Sequence, residues 1–71
     1  MQVTAQQTER LLKGDHSFSQ LGFSMLLTRL KSSYADDPSE NSLDIAMSEI
    51  NTFLDKFKGI MKKDCEIISS L

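Results

Sequence analysis

From Leu43 to Leu71 one heptad register runs unbroken through the sequence, and it limits the possible folds more than any other feature. With Leu43 as position a, the a sites are Leu43, Ile50, Phe57, Asp64 and Leu71. The d sites are Ala46, Phe53, Ile60 and Ile67, and the e sites are Met47, Leu54, Met61 and Ile68. Outward sites are polar or glycine except Ile45 and Cys65. A stripe of this width marks an amphipathic helix that must bury one broad face. Asp64 is the single non-apolar residue on it. The functional question is what covers the stripe.

The 71 residues are read as one small domain, residues 1–71. A chain of this size buries only about 60% of its unfolded surface, and burial barely offsets chain entropy. Such chains gain stability from a disulfide, a metal, a partner or close helix packing. A lone cysteine, Cys65, leaves no internal disulfide, and no His or Cys spacing suits a metal. Helix packing and a partner chain remain. The net charge of -2 gives little attraction to nucleic acid. No run approaches the roughly 18 apolar residues of a membrane span. Met1-Gln2-Val3-Thr4 does not open like a signal peptide. The expectation is a cytoplasmic protein with no cofactor, metal or membrane contact.

Local signals predict three helices. Thr4 and Gln7 form a capping box for a short first helix ending at Lys13, with Gly14 as a left-handed C-terminal residue. Ser17 and Gln20 form a second box, opening a helix that runs to about Ser33 or Tyr34. At 100° per residue its apolar side chains divide in two. Phe23, Leu26, Leu27, Leu30 and Tyr34 make the main face, and Phe18, Leu21 and Met25 lie nearly opposite. A helix apolar on two sides lies between two neighbours. Asp37-Pro38-Ser39-Glu40 predicts the start of the third helix at Pro38, with Asp37 as its cap. The short link implies an antiparallel helical hairpin.

The fold class is therefore all-α: a helical hairpin with a short N-terminal helix, making a small three-helix bundle with a long amphipathic C-terminal helix. Phe53, Leu54 and Phe57 are expected at its densest packing. A helix from Pro38 to Leu71 would span roughly 50 Å, twice the length of helix two. The stripe keeps its phase across Gly59, which favours an unbroken or gently bent helix. Its far half then needs a second copy of the chain or helix one beside it.

Residue types associated with chemistry occur in unsuitable arrangements. Asp15-His16-Ser17 are adjacent, whereas a hydrolase triad is assembled from distant positions. Cys65 falls on an outward site between Asp64 and Glu66, where a thiolate is not favoured. Gly14, Gly22 and Gly59 are too scattered for a phosphate loop. Asp64 is expected either to meet solvent or to pair with Arg10, Lys13 or another chain, because its own helix offers no cation.

Gly22-Phe23-Ser24-Met25-Leu26-Leu27-Thr28-Arg29-Leu30-Lys31 faintly resembles the recognition half of a helix-turn-helix repressor. It departs from that pattern where Gly22 should lie in a turn and where only Arg29 and Lys31 are positive. Packing accounts better for its apolar residues. The reading is a non-enzymatic protein–protein interaction or assembly module, without catalytic, cofactor-binding or metal residues. It is expected to form a homodimer or other homo-oligomer, or to bind another protein, through Phe18, Leu21, Met25, Ile60, Met61, Ile67, Ile68 and Leu71. The alternative is a small helical regulator, DNA-binding or antitoxin-like.

Overall fold

The structure, a computed structural model, describes residues 1–56 and 62–71. Among these, four helices form: α1 (Ala5–Lys13), α2 (Leu21–Asp36), α3 (Glu40–Lys56) and α4 (Lys62–Ser69). No strand occurs among the described residues.

The first capping box forms as the sequence predicts. Thr4 Oγ1 accepts from the Gln7 N–H at 3.1 Å, and Gln7 Oε1 accepts from the Thr4 N–H at 3.0 Å. The helix stops at Gly14, but not by a left-handed residue: Gly14 is extended, with φ -98° and ψ 173°. Its N–H still closes the last turn on the Arg10 carbonyl at 2.9 Å. Leu11 and Leu12 are buried, and α1 packs against both α2 and α3. Val3 is clasped by Asn51 of α3, which accepts the Val3 N–H at 2.7 Å and donates to its carbonyl at 3.2 Å. This docking holds a helix too short to persist alone in water.

The second box does not form. Ser17 is exposed and α2 begins four residues later, with Gln20 as its N-cap residue. The N–H groups that Ser17 would have capped, those of Ser19 and Gln20, donate to Asp64 instead. Phe18 is drawn onto Phe23, edge to face at 4.8 Å between centroids. Gly22 consequently lies inside α2, not in a turn. The main face is as expected in its centre: Phe23, Leu27 and Leu30 are buried, while Leu26 and Tyr34 pack half-buried against them.

The third helix starts two residues later than the sequence predicts. Ser39, not Asp37, caps it: Ser39 Oγ accepts the Ser42 N–H at 3.1 Å. Asp37 instead accepts the hydroxyls of Ser39 and Ser42, at 3.4 and 3.1 Å. Two capping-competent residues flank Pro38, and the one nearer the helix takes the backbone donor. Phe23 near the start of α2 meets Phe53 near the end of α3, at 5.5 Å between centroids. Arg29 reaches Glu49 at 2.7 Å.

The expected long C-terminal helix is not formed. The longest extent of the chain is 31 Å, against the roughly 50 Å that Pro38–Leu71 would need as one rod. The C-terminal part of the stripe is a separate short helix, α4, that packs on the rest of the chain. Ile68 enters the common core, and the Arg10 guanidinium donates to the Leu71 carbonyl. Phe57 and Gly59 lie outside the described residues. The radius of gyration, 11.1 Å, is that of a closed globule: about 11 Å is expected for a compact chain of this length. Its accessible surface, 4645 Å², is also close to the roughly 4,500 Å² of a self-contained monomer of this mass.

Candidate functional site

Asp64 is the buried polar feature of the stripe, with no exposed surface at all. It does not meet solvent, and no cation among the described residues pairs with it. Oδ1 accepts the Ser19 N–H at 2.7 Å and Oδ2 accepts the Gln20 N–H at 3.1 Å. Of the two cations the sequence offered, Arg10 goes to Leu71 and Lys13 pairs with Glu9 one turn away. A buried carboxylate is tolerable when its oxygens are hydrogen-bonded. Here the donors are backbone groups at the head of α2, where the helix dipole also favours negative charge. Nothing in the local pattern around Asp64 points to donors more than forty residues away.

Apart from Met1, the large apolar side chains exposed among the described residues lie on α2 and α3. Leu21 is 73% exposed and Met25, one turn on, is 64% exposed. Ile45 of α3 is 52% exposed. The Arg29–Glu49 pair bridges the seam between the two helices and divides it. On one side the floor includes Leu26 and Phe53, and on the other Leu30, Tyr34, Ile45 and Ala46. At Gly22, where α2 faces α3, a Cβ would sit 3.5 Å from the Phe53 ring, an ordinary contact distance.

Among the described residues the expected partner-binding side chains therefore fall into three groups. Leu21 and Met25 are free at the surface. Phe18 is half-buried and turned onto the core, and Ile67 and Leu71 are also half-buried. Ile68 is only 1% exposed, so no partner reaches it while α4 is docked. Ile60 and Met61 lie outside the described residues. Ile45, Leu26 and Phe53 belong to the apolar surface although the sequence reading did not select them. Ile45 gave a usable signal, as an apolar side chain on an outward heptad site.

A small cleft beside the α1–α2 link is lined by Leu11, His16, Phe18, Ser24, Leu27, Thr28 and Lys31. Ser24, Thr28 and Lys31 are engaged with the fold. Ser24 Oγ donates to the Phe18 carbonyl at 3.2 Å and Thr28 Oγ1 to the Ser24 carbonyl at 2.9 Å. Lys31 Nζ donates to the Gly14 carbonyl at 2.7 Å and pairs with Asp15 at 3.3 Å. Among the described residues no three His, Cys, Asp or Glu side chains converge on a metal position. No described helix is long and apolar enough to cross a membrane. No family model, curated protein or solved structure matches the chain.

Proposed function

We propose that the chain is a non-enzymatic assembly module in which the α2–α3 helical hairpin presents its outer apolar face to a second copy of itself. The observation that carries this reading is the exposure of Leu21 and Met25, one turn apart on one face of α2. Contiguous apolar surface on a small protein marks interaction sites, and a two-fold axis lets one patch serve both chains. Met25 supplies an adaptable contact. The interface of this proposal differs from the full stripe expected from the sequence, because the chain itself covers Ile68.

The regulator reading is weaker. Arg29 and Lys31, the cations it would direct at phosphate, are already bound to Glu49 and to Gly14 and Asp15. The acidic overall balance, together with this pairing, supports a protein partner rather than nucleic acid.

Light scattering over a concentration series tests the proposal. The unmodified chain should move from monomer to dimer as concentration rises. Leu21→Glu with Met25→Glu should hold it monomeric, with the helical circular dichroism unchanged because both side chains are exposed. A chain that stays monomeric throughout, or a double variant that dimerises equally well, overturns it.

A further inference from the structure

The second helix begins poorly on its own. Its N-cap residue is Gln20, whose side chain makes no capping bond, and its first turn contains no acidic residue. Gln20 Oε1 is itself buried without a donor among the described residues. Helix starts are normally fixed by a Ser, Thr, Asp or Asn oxygen and favoured by a nearby negative charge. The negative charge is supplied from elsewhere in the chain by Asp64, 45 residues beyond Ser19 and 44 beyond Gln20, whose carboxylate accepts the N–H groups of these two residues and so fixes the backbone that enters the helix. That carboxylate belongs to α4, so it reaches α2 only while α4 is seated. Ile68 in the core also holds α4, as does, just beyond its end, the Arg10 bond to Leu71.

From this arrangement we infer that α4 is a conformational strap: its seating and the ordering of the first turn of α2 are one coupled event. The turn so ordered is the one that bears Leu21 and leads to Met25. The coupling is a property of the chain whether or not those residues bind a partner. It acts in both directions, since a free energy linking two sites is reciprocal. Loosening α4 frees the head of α2, and disrupting the head of α2 loosens α4.

Native-state amide hydrogen exchange on the full chain tests this, because it reads local opening residue by residue. Ser24, whose N–H bonds to the Gln20 carbonyl, and Met25 report on the head of α2. Ile68 and Ser69 report on α4. Asp64→Ala removes charge-assisted hydrogen bonds and should speed exchange at all four amides by about tenfold or more, with a smaller change at Ile50 and Leu54. Leu21→Gly weakens the first turn of α2 at an exposed side chain and should speed exchange at Ile68 and Ser69 severalfold. Adding Gln20→Asp to Asp64→Ala gives α2 a cap of its own. It should restore Ser24 and Met25 while leaving α4 loosened. Leu21→Gly tests the coupling even where Asp64→Ala fails to fold. The inference is overturned if Leu21→Gly leaves Ile68 and Ser69 unchanged, or if Asp64→Ala loosens α4 with Ser24 and Met25 still protected.

Discussion

The two ends of the heptad stripe, Leu43–Lys56 and Lys62–Leu71, share one register but are covered in different ways. In α3 the stripe does what its periodicity implies. Ala46, Ile50 and Leu54 are all buried, and both α1 and α2 pack against the helix. In α4 the same register buries one apolar side chain, Ile68, and one carboxylate, Asp64. The comparison teaches that periodicity fixes which face of a helix is buried, but not what buries it. A rod longer than its neighbours can recruit a second chain or be replaced by two shorter helices. In this chain the helices are short and the cover comes from within.

The largest expected difference between the two ends is in the cost of a cavity. Ile50→Ala should destabilise the protein by about 2–5 kcal/mol, as large-to-small core changes do. That is enough to unfold much of a domain this small. Ile68→Ala should cost less in chemical denaturation, because α4 can open while α1–α3 stay packed. Equal losses, with a single cooperative transition for both variants, would show that α4 is as integral as α3 and would break the comparison. A smaller effect separates a helix with a nearby cap from one that borrows its fixing group. Ser39→Ala should lower stability by about 1 kcal/mol, the usual loss for a helix cap. Asp37→Ala should cost less, since it holds only exposed hydroxyls; thermal melts that reverse this order would return the cap to Asp37. The smallest effect is a gain. Gly22→Ala should raise stability by about 0.5 kcal/mol, because alanine favours the helix and its methyl finds ordinary contact with Phe53. A loss would show that α2 and α3 need the closer approach glycine permits.

What was legible in the sequence was local. The Thr4–Gln7 box, the turn around Pro38 and the core face of α2 are each set by residues within a few positions of one another. The exposed pair Leu21 and Met25 was legible too, as the second apolar cluster of an amphipathic helix. The failures share a cause. Ser17 lost its backbone donors to Asp64, and Asp64 found its partners in a segment no local pattern connects to it. Ile68 looked like leftover interface because helical phase carries no information about which part of the chain covers a stripe.

The fastenings of α1 also set an order of events. Val3 is tied to Asn51, 48 residues away, and Arg10 to Leu71, 61 residues away. Synthesis from the N-terminus makes α1 before α2, α3 and α4, yet neither tie exists until those later residues have been made. Before then α1 has nine residues, short of the roughly 12–15 that even a favourable sequence needs to stay helical alone. The earliest of the four described helices to be synthesised is thus fully fastened only late. Closing loops of this length costs chain entropy, and contacts so distant in sequence slow folding. A bundle of the same size whose helices met only their neighbours in sequence would reach its native state sooner.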